Sequence, residues 1–132
     1  MANMIKPAII VIAYNREESL KRLLTSLNNA IYESDDITLI ISIDKSDNEK
    51  VYKTADEFDW KHGIKKTILS DENLGLKKHV LKCGDYVYEY ENIIVLEDDL
   101  YVSKNFYSYA CQALEFSMNR TEISGVSLYN HE

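Results

Sequence analysis

The residues best equipped for chemistry in this chain are three consecutive carboxylates, Glu97-Asp98-Asp99, which follow directly on the apolar run Ile93-Ile94-Val95-Leu96. Adjacent acids at the mouth of a buried segment repel one another, and the repulsion falls when a cation sits among them. Hard oxygen ligands select Mg²⁺ or Mn²⁺ over zinc or copper. Such an ion is held by one or two carboxylates, with water and phosphate oxygens completing its shell. If the segment stays extended, alternate side chains share a face, so Glu97 and Asp99 converge while Asp98 faces elsewhere. The plain alternative is a set of solvated acids that cap the next helix. Ser103 is already available for that cap, which leaves the acids without a local structural task.

Polar segments also follow the other short apolar runs. Tyr14-Asn15-Arg16 follows Ala8–Ala13, Asp44-Lys45-Ser46-Asp47 follows Ile37–Ile43, and Ser70-Asp71-Glu72-Asn73 follows Thr67–Leu69. A fifth run spans Ile123–Leu128. Runs rich in Ile and Val suit strands buried on both faces, as in a parallel sheet. Between them lie stretches with helical spacing: Leu20, Leu23, Leu24, Leu27 and Ile31; Val51, Ala55 and Phe58; Leu76, Val80, Cys83 and Val87; Phe106, Ala110, Ala113, Leu114 and Ser117. Asn15 with Glu18 and Ser46 with Glu49 fit capping-box spacing, and Ser103 can cap the last helix. The alternation predicts an α/β domain, an open, mostly parallel sheet with helices on both faces. In such a sheet the strand C-termini share one rim, and ligands bind in the crevice there. Three of the four polar segments on that rim carry carboxylates. A phosphoacceptor pocket of the response-regulator type needs its acidic pair after the first strand, where this chain has Tyr14-Asn15-Arg16.

The 132 residues form one domain, 1–132, with 45% apolar and 28% charged residues and no internal boundary. A net charge of −7 argues against nucleic acid or an anionic membrane as partner. Cys83 and Cys111 have no metal-site spacing and read as free thiols in a reducing compartment. The Ala8–Ala13 run is too short for a signal-peptide core or a membrane span, so the expected location is cytoplasmic, free or at the cytoplasmic face of a membrane. Ten tyrosines, among them Tyr86, Tyr88 and Tyr90, read as packing groups with wet hydroxyls rather than as a sugar-binding surface.

The opening Pro7-Ala8-Ile9-Ile10-Val11-Ile12-Ala13-Tyr14-Asn15-Arg16 resembles that of GT-A-fold nucleotide-sugar glycosyltransferases, family 2 above all. Asp44 stands where that family has its second-strand Asp, Asn73-Leu74-Gly75 resembles its Asn-x-Gly turn, and Glu97-Asp98-Asp99 its Asp-x-Asp (DxD) motif. Val95–Val102, Asn105-Phe106-Tyr107 and Gly125–Asn130 are closer still to the catalytic core of N-acetylglucosaminyltransferase I. The resemblance implies the Rossmann-like, nucleotide-binding half of a GT-A fold. It also implies transfer of a sugar from a nucleoside diphosphate, a UDP-sugar, to a saccharide or other hydroxyl acceptor, with Mn²⁺ or Mg²⁺. On it, Tyr14, Asn15 and Arg16 pass the base; Tyr14 can stack on it and Arg16 can reach a carbonyl or a phosphate, the plain alternative being a Tyr14 that ends the strand in the core and a solvated Arg16 at the helix start. Asp44 accepts the base's imino N–H, since a carboxylate accepts and cannot donate. Asn73 and Gly75 form the turn. Lys77 or Lys78 stands near the diphosphate, where an anion would account for cations at a helix start; the plain alternative is two surface lysines. Asp98 touches ribose or sugar, and Asp99, with Glu97, holds the metal. The general base is implied further along, in the roughly 100 further residues such enzymes carry, so the chain reads as the donor-binding half of a longer or truncated enzyme. The alternative is a non-catalytic module acting through nucleotide binding or protein contacts, with apolar surface that favours a homodimer.

Overall fold

Short β-branched runs, the three central ones sheathed by apolar groups on both sides, become strands here. In the computed structural model, which describes residues 6–118 and 126–128, they are β1 (Ala8–Ala13), β2 (Leu39–Ile43), β3 (Lys65–Leu69), β4 (Ile93–Glu97) and β5 (Val126–Leu128). The helices are α1 (Glu17–Asn29), α2 (Glu49–Glu57), α3 (Leu76–Gly84), α4 (Val87–Tyr90) and α5 (Phe106–Met118). The strands form one sheet in the order β3-β2-β1-β4-β5, every pairing parallel. This is the expected α/β architecture. Gly125 and residues 129–132, including Tyr129, Asn130, His131 and Glu132, lie outside the described residues, as does the side chain of Ser117.

Alternate residues of the central strands serve two cores. Ile9, Val11 and Ala13 join Leu39, Ile41 and Ile43 on one face, packed by Leu20, Leu23, Leu24 and Leu27 of α1, Val51 and Ala55 of α2, and Phe106 and Ala110 of α5. On the other face Ala8, Ile10, Ile12, Ile40, Ile93 and Val95 meet Cys83 of α3, with Val87 and Tyr90 of α4 packed alongside. Each buried Ile or Leu is worth about 1.5–3 kcal/mol over its exposed state, so the first face carries most of the apolar stabilisation. The second face is thin: α3 buries only His79 and Cys83.

The helix ends differ from both capping-box expectations. α1 begins at Glu17, with Arg16 at the N-cap position and no side-chain cap. α2 is capped by Asn48, whose Oδ1 accepts the Lys50 N–H at 3.1 Å. The Asn48 amide also donates to the Asn15 carbonyl at 3.0 Å and to Glu17 at 3.3 Å, while Ser46 Oγ donates to the Tyr14 carbonyl at 3.3 Å. Asn48 wins because one side chain caps a helix and ties two loops together. At the other end of α2, Lys65 Nζ donates to the carbonyls of Ala55, Asp56 and Phe58 at 2.7, 2.8 and 2.7 Å, satisfying groups that a helix end leaves bare.

The third helical stripe is also interrupted. α3 stops at Gly84 and Val87 belongs to the separate α4, while Leu76 is 58% exposed and His79 takes the buried position. Ile31 lies past the end of α1 and is exposed, as is Ala113 on α5.

Candidate functional site

The strand order reverses between β1 and β4, and a crevice forms outside the C-terminal ends of strands at such a point. Here it is a cleft of about 490 Å³ lined by Ile12, Ala13, Tyr14, Asn15 and Arg16 from β1 and the loop after it, Asp44 after β2, Asn73, Gly75, Leu76 and His79 from the turn and start of α3, and Glu97, Asp98 and Asp99 after β4.

The acidic wall is built by the end of β4. The strand stops at Glu97, and the chain turns through Asp98 and Asp99, with the Leu100 N–H donating to the Glu97 carbonyl at 3.1 Å. Strand alternation therefore does not extend past Glu97. Contrary to the expectation that Asp98 faces elsewhere, all three acids line the cleft. Asp98 also joins the two central strands. Its N–H donates to the Ile12 carbonyl at 3.1 Å, and its carboxylate accepts the Tyr14 N–H at 3.4 Å. Burial pushes the Asp98 carboxyl above its ordinary value. The Tyr14 amide and Arg16 pull it down, and Asp99 and Glu97 push it up. Asp99 is exposed and Glu97 half-buried, so both can meet a ligand from solvent.

The opposite wall hangs on Asp44, only 3% exposed. Its Oδ1 accepts the N–H groups of Lys45 at 3.0 Å and Leu74 at 2.7 Å, and its Oδ2 accepts that of Gly75 at 2.9 Å. Asn73 Nδ2 closes the same junction by donating to the Lys45 carbonyl at 3.0 Å. Three amides on one carboxylate leave one of its roughly four acceptor positions for a ligand. Gly75 holds the N-cap position of α3 at φ 80°, in the left-handed region that favours glycine, and the space beside its Cα is open.

His79 lies one turn further along α3, 1% exposed, with Nε2 2.8 Å from Ser42 Oγ. Burial holds the imidazole below its ordinary value against the pull of Asp44, and Lys82 adds to the depression.

An acidic wall of Glu97, Asp98 and Asp99 facing the amide-bound carboxylate of Asp44, at the switch point of a 3-2-1-4-5 sheet, suits a polar ligand that brings a cation. Residues 8–129 match the family model described as glycosyl transferase family 2. The chain belongs to glycosyl transferase family 2. No curated protein matches it. Membership makes glycosyl transfer from a nucleotide sugar to an acceptor the general role of this family 2 domain.

Of the site residues expected from the sequence, the cleft gathers Tyr14, Asn15, Arg16, Asp44, Asn73, Gly75, Glu97, Asp98 and Asp99. Lys77 and Lys78 are exposed on the first turn of α3 and do not line it. His79 does, although in the sequence it is only the end of a basic run. Its signals were Ser42, a polar residue inside the apolar run Ile41-Ser42-Ile43, and its own position four residues after Gly75. No helix among the described residues is long and apolar enough to cross a membrane.

Proposed function

We propose that the cleft of this family 2 glycosyl transferase binds a nucleoside diphosphate sugar, a UDP-sugar, together with Mn²⁺ or Mg²⁺, and delivers the sugar to an acceptor hydroxyl. The observation that carries this reading is the meeting of residues from four rim segments, 14–16, 44, 73 with 75, and 97–99, in one cleft at the sheet's switch point. Tyr14, 43% exposed, offers a ring face for a base, and Arg16 a guanidinium for a carbonyl or phosphate oxygen. The remaining acceptor position of Asp44 suits a single N–H donor. The donor set on the acidic wall is all carboxylate oxygen, which fits a hard divalent ion. Asp99 and Glu97 would hold it. When bound, the ion acts as a Lewis acid on the diphosphate oxygens. Asp98, which accepts the Tyr14 N–H, would take a ribose or sugar hydroxyl. The sequence resemblance of Val95–Val102, Asn105-Phe106-Tyr107 and Gly125–Asn130 to the N-acetylglucosaminyltransferase I core favours an N-acetylhexosaminyl donor as the first to try.

Calorimetric titration of UDP and UDP-sugars, with and without Mn²⁺, tests the reading. The expected result is binding that needs the metal and falls at least tenfold in Asp99→Asn, the loss of a charge-assisted contact (~1.5–3 kcal/mol). Absence of binding, or binding indifferent to both metal and Asp99, overturns it.

A further inference from the structure

The thin face of the sheet holds a line of buried polar groups that the cleft's ligand contacts leave unexplained. Ser42 interrupts β2 and is 4% exposed. Its Oγ meets His79 Nε2 at 2.8 Å, and Cys83, 1% exposed, is buried one turn further along the same helix. His79 and Cys83 are four residues apart on α3 and therefore share one helix face. They are also the two residues this helix buries. Asp44 lies two residues past Ser42, directly after the end of β2. The end of this strand thus holds α3 by two polar hooks: Asp44 on the Leu74 and Gly75 amides, and Ser42 on the His79 ring.

The donor and acceptor inventory orients the Ser42 line. Ser42 has one O–H to give, and among the described residues the side-chain acceptor at hydrogen-bond distance is the imidazole nitrogen. A buried hydroxyl hydrogen left without an acceptor is costly, so Ser42 O–H donates to His79 Nε2. His79 then carries its own hydrogen on Nδ1. We propose that Ser42 is a positioning residue: it fixes His79 as the neutral Nδ1–H tautomer on the cleft wall, so that the ring offers one hydrogen-bond donor to an acceptor oxygen of the bound nucleotide. The nucleotide half of this statement rests on the reading given above; the tautomer does not.

The test uses two substitutions of nearly equal shape, both suited to a strand. Ser42→Thr keeps the hydroxyl and Ser42→Val removes it. Two-bond ¹H–¹⁵N spectra of the ligand-free, ¹⁵N-histidine-labelled protein at pH 7 report the tautomer, with His79 identified by the signal that His79→Gln removes. The expected result is the Nδ1–H form in the parent and in Ser42→Thr, and a shift toward the Nε2–H form in Ser42→Val. Calorimetry with UDP and Mn²⁺ should then show Ser42→Thr close to the parent and Ser42→Val weaker by roughly three- to tenfold, the loss of one aligned hydrogen bond. An Nε2–H tautomer in the parent, or a spectrum unchanged in Ser42→Val, overturns the lock whether or not nucleotide binds. A correct tautomer with equal UDP affinity in the Thr and Val variants overturns the ligand contact. A parent that binds no UDP removes the nucleotide reading and the contact with it, and leaves the lock to be judged by the spectra.

Discussion

Asp44→Asn should cost both stability and cleft shape, for a reason that can be worked bond by bond. The carboxylate accepts three backbone amides: Lys45 and Leu74 on Oδ1, and Gly75 on Oδ2. An asparagine can keep its carbonyl oxygen toward Lys45 and Leu74, but its NH₂ group then faces the Gly75 N–H. One charge-assisted bond is lost, two others become neutral, and a donor is left against a donor. A hydrogen bond to a charged group nets about 1.5–3 kcal/mol and a neutral one about 0.5–1.5 kcal/mol. Asp44 is buried while Leu74 and Gly75 are half-buried and can recruit water, so the expected destabilisation is about 2–3 kcal/mol. Urea unfolding of the ligand-free protein measures the total. Hydrogen exchange at the Leu74 and Gly75 amides locates it, and both should exchange at least tenfold faster while the β1 amides lose protection only by the global amount. If stability and exchange at 74 and 75 stay at parental values, Asp44 is not the clamp described here and serves a ligand alone.

Three further outcomes follow from the same geometry. Lys65→Met removes the ammonium that serves three carbonyls at the end of α2 and should lower stability by about 1–2 kcal/mol, seen as a lower urea midpoint; an unchanged midpoint would mean water replaces it. Gly63→Ala should be worse, because a Cβ there would lie 2.1 Å from the Ile37 carbonyl oxygen at φ 152°; a cost above about 3 kcal/mol is expected by thermal unfolding, and a soluble variant of parental stability would refute the close approach. His79 gives a pH dependence whose sign is fixed: its folded value lies below the unfolded 6.5, so below about pH 7 the unfolded chain takes up a proton that the native protein refuses. Stability should therefore fall as pH drops through 6.5, until the folded value is passed, and His79→Gln should remove that part of the slope. Parallel pH profiles for the two proteins would contradict the buried neutral ring.

The sheet was legible because its cause is local. Ile9–Ile12, Leu39–Ile41 and Ile93–Leu96 are apolar without a break, and only a strand covered on both faces needs that. The rim was legible for the same reason, since the first polar residue after each run marks where the sheet ends. The helix caps were not, because the choice of Asn48 over Ser46 is made by groups more than thirty residues away in sequence, Asn15 and Glu17. Past Glu97 the chain turns, so a strand rule misplaced Asp98. His79 was hidden by its neighbours Lys77 and Lys78, and its burial follows from a partner on β2 that no helical periodicity reveals. Asp44 was recognised as a rim acid, yet two of the three amides it accepts belong to a turn thirty residues further on.

Paramagnetic broadening by Mn²⁺ in the amide spectrum tests the central claim most directly. With UDP present, trace Mn²⁺ should erase the signals of residues 97–99, then those of 14–16 and 74–76 across the cleft, while α5 and the far end of β3 stay sharp, and Asp99→Asn should restore the erased signals. Broadening centred anywhere else, or the same pattern in Asp99→Asn, would show that the acids at the end of β4 do not bring a divalent ion to a nucleotide.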